Sequence, residues 1–372
     1  MSNQGRSPIR VAVWIHHGLG DVIMALPSLR DLDVALPDGS KMLFLVKSNT
    51  ESQLLSLVEW KHDVETVVMN KTGRRLVQVI NLALQVRAWR PDYFIAPHAG
   101  DGLSTAVFSR LVGAKISVGP SGKWSWLGFS DTLPYLSGNH KAVYYSGFFE
   151  KSGLLASVLN SYSGLSLRLP AIQGVADFVA DHGRKFLVFS PGSGPVEAHK
   201  RWPGANYTAL VEKLLTEHTD LKVLVMGSPN ELDLLQAITQ PLSENVRDRC
   251  ATYAPAQLAE ALAIIRQTAG MVCGCSGSGH MAALAGIPIV GIYGPTNHTF
   301  TGPFATNMRV VRMAYSCSPC YRPDFMTGCG DAKCIKDISV ERVYQAVMDN
   351  LNAVPFPVEA HIATTHAIQF SP

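Results

Sequence analysis

Short apolar runs alternate with helix-period patterns twice along this 372-residue chain, and no other feature restricts the fold as strongly. Runs near 10–15, 42–46, 64–69, 93–96 and 115–118 read as strands, with helical patterns near 22–36, 51–58, 73–89 and 101–112 between them. The order restarts after Arg184, with strands near 185–190, 221–226, 270–274, 287–292 and 308–312 and helices near 204–217, 230–239, 256–268 and 277–285. Strands joined through helices pair in parallel, because only a crossover of that length returns the chain to the same end of a sheet. The rhythm predicts an α/β protein of two doubly wound domains, 1–175 and 176–352, with 353–372 as a tail or return strap. A chain this long also exceeds what one hydrophobic core fills. The stretch from about 120 to 180, rich in Gly, Ser and aromatic residues, breaks both periodicities and reads as first-domain loops leading into a linker.

Hydrophobic residues at 47% and charged residues at 16% supply two cores and argue against disorder. The opening run Val11 to Ile15 is too short for a signal-peptide core, and His16 and His17 interrupt it. Nor does any stretch reach the roughly 18 apolar residues of a membrane span. The expectation is a cytoplasmic protein with at most peripheral contact with the inner membrane. Residues 1–170 hold 17 Lys+Arg against 12 Asp+Glu, leaving 15 against 17 beyond. Lys71, Arg74, Arg75, Arg87 and Arg90 lie between Glu65 and Asp92 with no acidic residue among them. Such a run suits an anionic acceptor or lipid surface, or is simply a solvated helix face. No nucleic-acid partner is expected.

The first strand runs into Gly18-Leu19-Gly20-Asp21, after which Val22, Ile23, Leu26 and Leu29 recur at helical spacing. Gly18 and Gly20 read as freeing the backbone for a tight turn, and Asp21 falls at the start of the helix, where the dipole favours a carboxylate. Asp21 is therefore either a cap or, at the carboxyl end of a first strand, a base able to take a proton from an attacking hydroxyl. A dinucleotide site fits poorly. Ile23 occupies the third glycine position, and the second strand ends at Lys47-Ser48 rather than at an acidic residue.

In the second half, strand 185–190 ends in Pro191-Gly192-Ser193-Gly194, and Lys200-Arg201-Trp202-Pro203 precedes the next helix. Ser193 can add a hydroxyl and Lys200 a fixed charge for a diphosphate, although lysines before helices are commonly solvated. Glu231 follows the strand ending at Met226 and can accept two hydrogen bonds from a ribose diol, or serve only as a helix N-terminal charge. Ser276-Gly277-Ser278-Gly279-His280 opens an Ala-rich helix whose amides form an anion site able to stabilise a leaving diphosphate without a metal. His280 can touch ligand or stay buried and hydrogen-bonded.

These segments, with Tyr293-Gly294-Pro295-Thr296, occur in the order seen in glycosyltransferase family 9, the heptosyltransferases, which the sequence resembles over about residues 10–350. The resemblance implies a GT-B fold, two Rossmann-like domains facing across a cleft, with an ADP-heptose donor and inverting transfer to an anionic lipid-linked saccharide of the lipopolysaccharide core. It implies Asp21 as base with Gly18 and Gly20 beside it on the acceptor side. Lys200 and Ser193 would hold the diphosphate, Glu231 the ribose, and Ser276, Gly277, Ser278, Gly279 and His280 the phosphates and sugar. No cofactor enters the chemistry. Where the family usually carries Asp before Ser/Thr-Gly, this chain has Cys275, a poor acceptor for sugar hydroxyls.

Cys317, Cys320, Cys329 and Cys334 crowd into 18 residues and can close a structural zinc or iron site, or lie reduced in a packed loop. Because related autotransporter heptosyltransferases carry a four-cysteine iron finger, a protein acceptor is the alternative to lipid. A non-catalytic nucleotide-sugar binder and an epimerase working without acceptor are the remaining classes. The binder has no need of Asp21.

Overall fold

The computed structural model describes residues 7–15, 18–69, 75–97, 102–135, 139–158, 161–180, 184–320 and 331–352. The chain separates into two compact units, Met1–Arg168 and Leu169–Pro372. Residues 353–372, read as a tail or strap, lie outside the described residues.

The first unit is built on strands β1 (Arg10–Ile15), β2 (Lys41–Val46), β3 (Asp63–Val68), β4 (Tyr93–Ile95), β5 (Ile116–Pro120) and β6 (Asp131–Leu133), all parallel in the order β3-β2-β1-β4-β5-β6. Its helices are α1 (Leu19–Ala35), α2 (Asn49–Leu57), α3 (Arg75–Ala88), α4 (Leu103–Val112) and α5 (Lys141–Lys151). Continuous apolar strands such as Val11 to Ile15, buried throughout, are what a sheet covered on both faces requires. Ala12 and Trp14 face a layer made by Ala83 and Val86 of α3 and Phe108 and Val112 of α4. Right-handed crossovers put α1 on the opposite face, where it packs against α5.

The second unit repeats the plan with β7 (Lys185–Ser190), β8 (Leu221–Met226), β9 (Cys250–Tyr253), β10 (Gly270–Gly274), β11 (Ile289–Tyr293) and β12 (Met308–Arg312), parallel in the order β12-β11-β10-β7-β8-β9. Around it lie α6 (Ala176–Ala180), α7 (Gly204–Glu217), α8 (Leu232–Thr239), α9 (Glu244–Arg247), α10 (Leu258–Ile265), α11 (Gly277–Ala285), α12 (His298–Thr301), α13 (Lys333–Lys336) and α14 (Val340–Leu351). Its core joins Phe189, Trp202, Tyr207 and Leu210 to Val343 and Val347 of α14. In both sheets the strand order reverses beside the first strand, between β1 and β4 and between β7 and β10. Ligands of open α/β sheets bind at the carboxyl ends of strands at such a reversal.

The stretch 120–180 is not the run of loops its sequence suggested: it holds β6, α5 and α6. The reason is burial. Ala142, Tyr144, Tyr145, Gly147, Phe148 and Phe149 of α5 are all enclosed, so the helix has no polar face to set a period. Short β9 also escaped the pattern, being half-buried with no apolar run. Among the described residues no helix is long and apolar enough to cross a membrane.

Candidate functional site

At the first reversal, β1 is followed by Gly18, the N-cap of α1, which puts Asp21 in the first turn. Gly18 has φ 169°, an extended conformation open to any residue, and Gly20 lies within the helix, so neither glycine is needed for the turn conformation expected from the sequence. Asp21 is more than a helix-start charge. Its Oδ1 accepts a 2.6 Å hydrogen bond from the Tyr145 hydroxyl and lies 2.5 Å from Lys141 Nζ, with both side chains of the ion pair largely shielded. An ammonium and a hydroxyl on one oxygen favour the ionised carboxylate. Burial, then the Asp21 charge, pushes the Tyr145 phenol well above its ordinary value, so it stays a donor. Lys141 and Tyr145 were missed by sequence reasoning, because they sit 120 and 124 residues away on the unanticipated α5. Glu51, the carboxylate near Gly18, is committed to Ser48 in a capping box that starts α2.

The second unit gathers its candidates at the carboxyl ends of three neighbouring strands. After β7, the Ser193 hydroxyl donates to the Glu197 carbonyl (2.9 Å) and accepts from Arg201 Nε (3.0 Å), while Arg201 Nη2 reaches the Ser193 carbonyl (2.6 Å). In this conformation Ser193 thus closes its own loop, its proton already placed. Lys200 ends the following 3-10 turn, Pro195–Lys200. It is 6% exposed, which removes the solvated-lysine reading, and its Nζ lies 2.5 Å from Glu197 Oε1.

After β8, Glu231 caps its own turn, accepting from the Ser228 amide (2.9 Å) and hydroxyl (2.8 Å) through Oε2. Its Oε1 reaches across to β7. A Cβ added to Gly192 would stand 2.0 Å from that atom, so only glycine there lets the carboxylate lie over the neighbouring loop. Gly192 is thus a seat for Glu231.

After β10 comes Cys275, then α11, whose N-cap Ser276 makes no side-chain capping bond; its hydroxyl instead pairs with that of Ser278 at 2.6 Å. First-turn amides are thereby left to other partners. Gly279 lets α11 sit close to β10, a Cβ there falling 3.1 Å from Cys273 Sγ, and His280 is buried at 7% exposure. The Cys275 thiol lies beside Thr296 and Lys200; burial pushes it above its ordinary value, against the pull of the lysine. Gly274 abuts the Lys200 carbonyl, a Cβ there lying 3.6 Å from it, so the β7 and β10 loops meet at the reversal. The gathered groups offer a buried cation, a carboxylate and a helix N-terminus, a combination that suits an anion carrying a diol.

Cys317 and Cys320 are exposed, Cys334 is buried on α13, and Cys329 lies outside the described residues. The Cys320 amide donates to the Pro295 carbonyl, and Cys334 Sγ stands 3.2 Å from where a Gly294 Cβ would be, so both flank one turn. Among the described residues no three His, Cys, Asp or Glu side chains converge as metal ligands.

The sequence model of glycosyltransferase family 9 (heptosyltransferase) matches residues 92–328. Lipooligosaccharide heptosyltransferase 2 of Haemophilus influenzae is 32% identical over 133 residues, 35% of this chain and 37% of that protein. Lipopolysaccharide heptosyltransferase 1 of Pseudomonas aeruginosa is 24% identical over 330 residues, 84% and 86% of the two chains. The structure of the E. coli ADP-heptose LPS heptosyltransferase II superposes with a TM-score of 0.70 at 21% identity, covering 93% of this chain and 99% of that one. The likeness establishes the α/β fold as the GT-B class. The matched stretch spans well under half of the H. influenzae relative's length.

Proposed function

The chain belongs to glycosyltransferase family 9 (heptosyltransferase), and from that premise we propose that it transfers heptose from ADP-heptose to a saccharide of the lipopolysaccharide core, with inversion. Asp21 takes the proton of the acceptor hydroxyl as its oxygen forms a bond to the anomeric carbon; the bond from that carbon to the diphosphate breaks, and ADP departs with the electron pair. Lys200 and the α11 amides offset the charge gathering on the leaving phosphate. Glu231 receives the ribose diol, and Gly18 and Gly20 border the acceptor. Lys141 and Tyr145 act through Asp21 and are positioning residues. Ser193 meets the diphosphate once its hydrogen turns from Glu197. No catalytic step is routed through a metal, and a structural ion on the cysteine cluster is a separate matter that elemental analysis decides.

What most supports this reading is the concentration of the Lys200, Glu231 and Ser276–His280 segments around one strand-order reversal, where a diphosphate and a ribose need a cation, amides and a carboxylate together. The heptose itself rests on the relatives named above, since Cys275 supplies no acceptor comparable to a carboxylate. The test is a donor screen against a purified lipid-linked core acceptor, reading product mass and anomeric configuration. Transfer from ADP-heptose with inversion is the expected result; release of sugar without acceptor, or transfer with retention, contradicts the reading.

A further inference from the structure

The first unit carries a surface that includes none of the residues assigned to the transfer reaction. Among the described residues, nine large hydrophobic side chains are exposed, and six of them belong to one side of this unit: Val77 and Leu84 on α3, Leu103 and Val107 on α4, and Trp124 and Trp126 in the turn after β5. Each helical pair falls on one face, spaced by seven on α3 and by four on α4. The two helices pack side by side, and α4 packs against the turn. A Cβ on Gly128 would come 1.9 Å from the Ala106 carbonyl, and the Ser109 hydroxyl donates to the Gly128 carbonyl at 2.7 Å. The Trp-bearing turn is therefore fixed on the same layer.

The stretch of sequence that contains these elements is also basic. From Thr66 to Ser130 the sequence holds eight lysines and arginines against two aspartates, whereas the whole chain is only +3. Arg110 and Lys123 are exposed beside the apolar residues, with Lys123 Nζ 5.3 Å from the Trp124 ring centre. Where α3 and α4 end, Arg10, Arg87, Arg90 and Lys115 line a cleft of about 620 Å³ whose one acidic residue, Asp92, is already paired with Lys115 at 2.7 Å.

We propose that this layer of α3, α4 and the Lys123–Leu127 turn docks on the surface of an anionic phospholipid bilayer. Exposed tryptophan beside lysine and aliphatic side chains is the composition that settles at the headgroup level, with helices lying in the plane of the interface. The cations meet lipid phosphates and the cleft takes a headgroup. A second copy is a poorer occupant, because a two-fold contact would press this positive surface against itself. Docking goes beyond the transfer reading and needs no sugar nucleotide, so either can fail alone.

Flotation of the full chain with vesicles tests it. The protein is expected to float with vesicles of phosphatidylcholine and phosphatidylglycerol in equal parts, to stay behind with phosphatidylcholine alone, and to be released by added salt. Trp126→Ser, and the pair Arg110→Glu with Lys123→Glu, should each weaken vesicle binding at least about tenfold, while Val34→Ser, an exposed change on α1, leaves it as in wild type. Absence of wild-type flotation overturns the proposal, as does flotation unmoved by these variants. So does a concentration-dependent dimer that Trp126→Ser dissolves, because the occupant would then be a second copy.

Discussion

The candidate groups of the two units are assembled differently. In the second unit every group comes from a loop directly following its own strand, as with Lys200 after β7 and Glu231 after β8. In the first, Asp21 follows β1 but owes its surroundings to α5, whose Lys141 and Tyr145 arrive from more than a hundred residues away. On the proposed reading, the nucleotide-binding groups are built by local loops of glycine, serine and charge. A carboxylate that must hold a defined charge needs partners enclosed with it, and enclosure comes from long-range packing.

The largest effect that can break this contrast is at Asp21 itself. Asp21→Asn keeps the shape and removes the base, so kcat should fall by about two to four orders of magnitude in a transfer assay. Turnover close to wild type would leave the first unit without its assigned role. Next is Lys141→Met, which strips the ammonium from Asp21 Oδ1. Losing a cation disfavours the carboxylate, so the acid limb of the pH–rate profile should move to higher pH, with kcat down roughly tenfold or more where that limb now falls. An unmoved limb would reduce Lys141 to a packing residue.

Gly192→Ala sharpens the other side. The added methyl meets Glu231 Oε1, so the carboxylate must shift, and ADP should bind about 1–3 kcal/mol more weakly by calorimetry, the range for a lost contact to a charged group. The smallest effect is expected from Tyr145→Phe, which removes one hydrogen bond and leaves the ion pair, lowering kcat several-fold for a contribution of about 1 kcal/mol. Because burial and Asp21 hold the Tyr145 phenol well above its ordinary value, it stays protonated through the working range. Wild type and Tyr145→Phe should accordingly share the same alkaline limb.

The same contrast explains what could be read from the sequence. Strands β1 and β7 were legible because both faces of each are buried, which leaves unbroken apolar runs. The turns after them were legible because their glycines and charges lie side by side along the chain. Helix α5 was not, since a helix enclosed on nearly all sides loses its stripe, and with it went Lys141 and Tyr145. Gly18 shows the opposite error: its place beside Asp21 was legible, but its φ of 169° makes no demand for glycine. At Gly192 the demand is real and comes from Glu231, a contact between loops 39 residues apart that no local pattern carries.

The division of labour between the two units is tested most directly by titrating ADP, in one calorimetric series, into wild type, Asp21→Asn and Lys200→Ala. The dissociation constant should be unchanged in Asp21→Asn and weaker by about 1–3 kcal/mol in Lys200→Ala, the size of a lost charge-assisted bond to phosphate. Wild-type affinity in Lys200→Ala, or affinity lost in Asp21→Asn, would contradict that division.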